Sequence, residues 1–174
     1  MTSTAAITYD EFQAALRSSK RAWHVEMRDT YNVESEHEQF HDFLEGKPDD
    51  YRWLDEWAGF IRDLTSHGTI VQRARIVTLP HTDYTRWGIV VAEQLAAAGE
   101  DIRYLNRAET ADIPFPAEDF WILDDDRLVL SVFFDGGRRG GFARSTDHEL
   151  LEQCRVVRDQ VWSRAVPYRR YSSG

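Results

Sequence analysis

The sequence predicts an α/β fold, a mixed β-sheet with helices packed on it. Three observations carry that prediction. Segments of helical period alternate with β-branched and aromatic runs through the middle of the chain. Capping signals mark several helix starts. Near the end, three apolar runs separated by Asp-rich and Gly-rich turns read as an antiparallel meander, followed by one long helix. A chain of 174 residues, 42% hydrophobic and 13% aromatic, can build one core. A single domain over 1–174 is expected, ordered from about residue 8 to 168.

Taken in order, Thr8-x-x-Glu11 is a capping box, with Ile7 and Phe12 placed as a hydrophobic staple. The helix that follows turns Phe12, Ala15 and Leu16 to one side. Trp23–Tyr31 reads as a strand. Ser35-x-x-Glu38 repeats the box before Phe40, Phe43 and Leu44, with Gly46 and Pro48 as stops. Asp49 or Asp50 precedes a helix over 53–67 carrying Trp53, Trp57, Ile61 and Leu64, and Gly68 ends it. Thr69–Leu79 is the next strand. Thr82 or Asp83 caps a helix over 83–98 with Tyr84, Trp87, Val91 and Leu95 at helical spacing, closed by Gly99. Ile102–Leu105 is a strand, and Pro114 and Pro116 mark an irregular stretch. The meander comprises Phe120–Leu123, Leu128–Phe134 and Arg138–Ser145, turned at Asp124-Asp125-Asp126 and Gly136-Gly137. Thr146-x-x-Glu149 opens the closing helix, which carries Leu150, Cys154, Val157 and Val161 and stops before Pro167. Strands joined through a helix are expected to run parallel, so the sheet should be mixed.

The net charge of −9 disfavours direct binding to nucleic acid. Only residues 135–174 carry a positive balance. Apolar runs of about six residues are far shorter than the roughly 20 that cross a bilayer, so no membrane contact is expected. The N-terminal residues lack a signal-peptide pattern, and Cys154 is the single cysteine; both fit a cytoplasmic setting.

His37-Glu38-Gln39-Phe40-His41 spells His-Glu-x-x-His. Two imidazoles four residues apart on a helix can hold zinc while the glutamate acts on a bound water. Here the capping box puts His37 in the first turn, Asp42 follows the second His, and the nearest third ligand is Glu56. A metal-dependent hydrolase built on His37, Glu38 and His41 is therefore the alternative reading, and an exposed acidic helix face the leading one. Cys154 falls on an apolar stripe and reads as a structural thiol. The three consecutive aspartates read as a turn, and Asp135–Gly141 as a hairpin with exposed Arg138 and Arg139.

The leading candidate site is a set of arginines and aromatics in the centre. Arg73 and Arg75 share a face of one strand and Arg103 sits on the next. Asp83, Tyr84, Arg86 and Trp87 follow at the carboxyl edge of a parallel strand, where open α/β sheets bind ligands.

The string from Arg73 to Trp87, together with Ala98–Arg103, Asp119–Asp125, Trp23–Tyr31 and Val161–Pro167, resembles an actinobacterial domain family of unknown function, numbered 6879, over roughly residues 10–168. The resemblance implies a setting beside helix-turn-helix regulators and no catalytic residues. The element order also looks like half of a phospholipase-D-type domain. Counted back from Asp125, Glu118 and Phe120 stand where that fold has His and Lys, so the nucleophile and its steadying charge are missing. The resulting expectation is a non-enzymatic regulatory or interaction module without a cofactor. It would bind a partner protein, a helix-turn-helix regulator, or a small effector through Arg73, Arg75, Asp83, Tyr84, Arg86, Trp87 and Arg103.

Overall fold

The computed structural model describes residues 3–172. Its strands are β1 (Thr4–Ile7), β2 (Arg21–Glu26), β3 (Ile70–Val77), β4 (Asp101–Asn106), β5 (Asp119–Leu123), β6 (Arg127–Phe133), β7 (Arg139–Ser145) and β8 (Val166–Pro167). Its helices are α1 (Tyr9–Arg17), α2 (His37–Leu44), α3 (Asp55–Ser66), α4 (Asp83–Ala97), α5 (His148–Arg164) and α6 (Tyr168–Tyr171). All eight strands join one sheet in the order β1-β7-β6-β5-β2-β3-β4-β8. β2, β3 and β4 run parallel, and every other pairing is antiparallel. This is the mixed α/β sheet that the sequence predicts, with the β5-β6-β7 meander and the long closing helix.

Local chemistry sets the element ends. Thr8 and Glu11 form the reciprocal capping box, Thr8 Oγ1 accepting from Glu11 N at 3.1 Å and Thr8 N donating to Glu11 Oε2 at 2.7 Å. Thr82 caps α4 by accepting from Thr85 N at 3.1 Å. The Asp turn works because Asp124 and Asp125 both adopt positive φ, which Asp tolerates better than most residues. Asp124 Oδ1 also accepts from Lys20 N and Arg21 N, tying this turn to the start of β2.

Several boundaries differ from the sequence reading. The second capping box does not form: Glu34–Glu36 make a 3-10 turn and α2 begins at His37 without a side-chain cap. α3 begins at Asp55 after a 3-10 turn at Arg52–Leu54, because Asp49 accepts from Tyr51 N and Trp53 Nε1 instead of opening an α-helix. Asp147, not Thr146, caps α5, while Thr146 Oγ1 is bonded to Ser3. β2 ends at Glu26, five residues before Tyr31. There the chain leaves the sheet so that the Asp29 carboxylate can accept from Thr78 N (2.9 Å) and Oγ1 (2.8 Å) beyond the end of β3. β1 and all but the first residue of α6 fall outside the region of about 8–168 read from the sequence, and β8 lies at its end, where the sequence shows no strand.

Side-chain alternation gives the sheet two unlike faces. One is packed by α5: Trp23, Val25, Ala74, Ile76, Leu105, Phe120 and Ile122 meet Leu151, Cys154, Val157 and Val161. The other is apolar toward the amino ends of β2 and β3, where Ala22 and Val71 pack with Phe12 and Leu16 of α1 and Ile61 and Leu64 of α3. Toward the carboxyl ends of the same strands it becomes charged.

Candidate functional site

The charged patch is a product of register. Across the parallel β2–β3 pair, His24 lies opposite Arg73 and Glu26 opposite Arg75; across β3–β4, Arg75 lies opposite Tyr104. On the other flank of β2, His24 lies opposite Trp121 of β5. These side chains therefore share the face away from α5.

Arg73 donates to Glu100 through Nε (2.8 Å) and Nη2 (3.2 Å), and its Nη1 stands 3.0 Å from Glu26 Oε1. Glu100, fully buried, also meets His24 Nε2 at 3.2 Å. The His24 ring lies flat on Trp121, with centroids 3.6 Å apart and planes 2° apart. Burial opposes the charge on Arg73, but Glu100 and Glu26 outweigh it and raise its pKa. Burial likewise opposes the charge on Glu26, yet Arg73 and Arg75 hold its carboxyl down at about 2. Burial holds His24 below the usual histidine range.

Arg75 is less completely satisfied. Its side chain is only 7% exposed, and Glu26 Oε2 lies 3.2 Å from its Nε but off the bonding direction. Nε and Nη2 of Arg75 have no hydrogen-bond partner, and neither has the buried hydroxyl of Tyr104. Buried donors in this condition are uncommon, and a charged one more so. Gly88 of α4 makes room for the guanidinium, since a Cβ there would stand 2.8 Å from Arg75 Nη1. The rings of Tyr31 and Tyr84 have their centroids 5.9 and 6.0 Å from the Arg75 Cζ.

These groups line a cavity of about 310 Å³ between the sheet and the helices that cover it. Trp53 and Trp87 stack at 5.6 Å on its helical side, and Phe40 of α2 packs against Tyr84 and Trp87, each at 5.5 Å. Two further acids belong to the wall. Asp119 accepts from Met27 N at 2.9 Å and from the Tyr31 hydroxyl; burial pushes its carboxyl up to about 6, against the pull of those two bonds. Glu36 accepts from the Tyr84 hydroxyl at 2.6 Å, and burial raises it as well.

Of the residues singled out in the sequence, Arg73, Arg75, Tyr84 and Trp87 come together in this cavity. Asp83 and Arg86 do not: they pair with each other on the exposed start of α4, and Arg86 Nη1 donates to His81 O at 2.9 Å. Arg103 faces the other way. It is one residue out of phase with Tyr104, so it points to the α5 side, where its Cζ sits 3.9 Å from the Trp162 ring centroid and Nη2 3.1 Å from Asp101 Oδ2. The cavity also lies over the sheet face instead of beyond the strand ends.

The His-Glu-x-x-His string lies along an exposed side of α2. His37 Nε2 is 2.6 Å from Asn32 Oδ1, and His41 Nδ1 is 3.7 Å from Glu45 Oε2. Among the described residues, the group whose possible ligand atoms lie within 4.8 Å of one another is His41, Asp42 and Glu45, which leaves out His37, Glu38 and Glu56. Cys154 is fully buried in the α5 core, and burial pushes its thiol up to about 12.

The sequence matches the domain of unknown function DUF6879 over residues 10–173. The chain belongs to this family. It matches no curated protein. The family match spans every residue of the cavity described above except Tyr9 at its margin. Among the described residues, no helix is long and apolar enough to cross a membrane.

His24, Glu26, Tyr31, Glu100, Tyr104 and Asp119 were not visible as site residues in the sequence. A signal was present in the paired spacings His24-x-Glu26 and Arg73-x-Arg75, which place four ionisable groups on one face once the two strands are set side by side.

Proposed function

We propose that this protein is a non-enzymatic regulatory module that holds a small organic effector in the cavity between the sheet and α2, α3 and α4. Occupancy would be passed to a partner protein, and the family resemblance makes a helix-turn-helix transcription regulator the partner of choice. The observation that carries the reading is the pairing of an aromatic-walled cavity with a buried guanidinium two of whose nitrogens, Nε and Nη2 of Arg75, make no hydrogen bond. Ligand sites are concave, mostly apolar and supplied with a few convergent polar groups, which is the character of this one.

Transmission would run through α2. That helix contains no buried residue and has no side-chain cap, so it is weakly anchored. It nevertheless touches the cavity wall through Phe40, and the turn before it through Glu36. An effector that reorders Tyr84 and Trp87 would favour one placement of α2 over another, and a partner reading α2 would bind the two states unequally. The phospholipase-D-like element order is compatible with such a role, since Glu118 and Phe120 replace the His and Lys of that enzyme; Phe120 is fully buried on the α5 face.

The test is isolation of the native protein from its source cells, followed by denaturation and mass spectrometry of the released small molecules. A compound bound near one per chain, and lost in Trp87→Ala, is the expected result. Protein that carries no compound, and that turns over phosphodiester or peptide substrates in a His41-dependent manner, would overturn the reading.

A further inference from the structure

Resting on the effector reading above, we infer that the cavity recognises a planar aromatic monocarboxylic acid, its carboxylate bound by Nε and Nη2 of Arg75 and by the hydroxyl of Tyr104. The donor geometry selects the acid. Nε and Nη2 form one edge of a guanidinium, and that edge presents two parallel N–H groups matched to the two coplanar oxygens of a carboxylate. Both are buried and without a hydrogen-bond partner, and Tyr104, paired with Arg75 across β3–β4, adds a third donor without a partner on the wall of the same cavity. The acid nearest to them, Glu26, is drawn toward Arg73 at 3.0 Å and does not align with the Arg75 fork.

The rest of the wall narrows the class. A phosphate ester would bring more charge and more oxygens than one guanidinium edge and one hydroxyl can serve. A dicarboxylate would set its second carboxylate among Glu36, Asp119 and Glu26. One negative charge is what the free donors accommodate. The ring systems of Tyr31, Tyr84, Trp53 and Trp87 supply flat apolar surface for an aromatic body, and about 310 Å³ suits one or two fused rings.

The experiment compares matched acids and amides: benzoate with benzamide, indole-3-carboxylate with its carboxamide, and 2-naphthoate with its carboxamide. Each is titrated into the full chain at pH 6.0, followed by thermal shift and calorimetry. At least one acid should raise the melting temperature while its amide gives less than a quarter of the shift. Tyr104→Phe, which removes only a hydroxyl without a partner, should weaken that acid by roughly tenfold and leave the unliganded melting temperature unchanged. Arg75→Gln should abolish binding. Amides that bind as well as acids, or acids that bind Tyr104→Phe undiminished, would overturn the acid assignment while leaving an effector module intact. Failure of every acid would overturn it too, and the mass-spectrometric result would then decide separately whether any effector is held.

Discussion

β2, β3 and β5 each carry two interleaved sets of side chains, and the two sets are held by different physics. Toward α5 they present Trp23 and Val25, Ala74 and Ile76, Phe120 and Ile122, a dry apolar surface. Toward the cavity they present His24 and Glu26, Arg73 and Arg75, Asp119 and Trp121. The backbone is the same, but the apolar set is fully buried while Glu26 and Arg73 of the charged set stay partly exposed. What differs is that the apolar face is stabilised by area removed from water, while the charged face survives only because each ion is matched to others. An apolar core tolerates volume-conserving exchange. A buried ion network does not, because deleting one partner strands the rest. That asymmetry explains why the charged side holds a cavity: the network keeps side chains extended and apart, where an apolar face would close up.

The largest expected effect strands Arg75 and strips Arg73 of one of its two acids, leaving it Glu100. Glu26→Gln removes the carboxylate shared by Arg73 and Arg75 and should lower stability at pH 7 by about 3–5 kcal/mol, read by urea unfolding. Phe120→Ala on the opposite face should cost a similar amount, about 3–5 kcal/mol, through the cavity that it leaves. The two losses part company with pH. Glu26 titrates at about 2 in the fold and near 4.5 when unfolded, so its contribution is full above 4.5 and fades as pH falls toward 2. The Glu26→Gln deficit should therefore shrink over that window and the Phe120→Ala deficit should not. Equal pH profiles for the two variants would break the comparison.

Asp119 sharpens it, because this second carboxyl on the same face slopes the other way. Its folded value of about 6 stands above the ordinary value of 3.8. The native state then binds the proton more tightly, and stability contributed by the neutral form is full below 3.8 and is lost as pH rises through 6. The displacement corresponds to about 3 kcal/mol at most. The groups facing Asp119 are the Tyr31 hydroxyl, the Met27 N–H, Glu26 and Arg28. Asp119→Asn keeps an acceptor for Met27 and should flatten the stability profile between pH 4 and 6. In wild type, an acid seated on Arg75 would further favour the protonated Asp119, so benzoate-type ligands should bind several-fold tighter at pH 5.5 than at pH 7.5. Calorimetry in two buffers of different ionisation enthalpy would register the proton uptake.

The two faces also differ in how readable they were. The apolar face was legible, since Val, Ile and Phe at alternate positions announce a buried strand whatever they pack against, and Leu150–Val161 announce the helix that covers it. The charged face was half legible. Arg73-x-Arg75 stood out, and so did the Tyr84/Trp87 stripe on α4, because each is a local pattern. Glu100 sits just before β4 and Asp119 opens β5, positions that look like ordinary strand ends in the sequence. Their role depends on which strands are neighbours, and the β5-β2 and β3-β4 pairings are set by tertiary packing. Arg103 misled for the same reason: one step of phase separates it from Tyr104, and its partner Trp162 lies 59 residues away in α5, the Arg103 Nη1 reaching the Trp162 carbonyl at 3.5 Å. β1 has two alanines at its centre and one bulky apolar residue, Ile7, at its end, too short a run to announce a strand.

The smallest effect on stability is expected at Gly88, and it separates the charged face's fold from its use. A glycine inside a helix is ordinarily a weakness, and replacing it by alanine gains about 1 kcal/mol of helix propensity. Here the new methyl would stand 2.8 Å from Arg75 Nη1, so the guanidinium must shift. The gain and the displacement oppose each other, and Gly88→Ala should unfold within about 1 kcal/mol of wild type. Gly59 of α3 is the internal standard, because a Cβ there meets nothing within 4 Å and Gly59→Ala should stabilise without touching the cavity. Acid binding should fall at least tenfold in Gly88→Ala and stay unchanged in Gly59→Ala. If Gly88→Ala kept full affinity, the orientation of the Arg75 fork would not matter to recognition, and the cavity would be gripping its ligand by its rings alone.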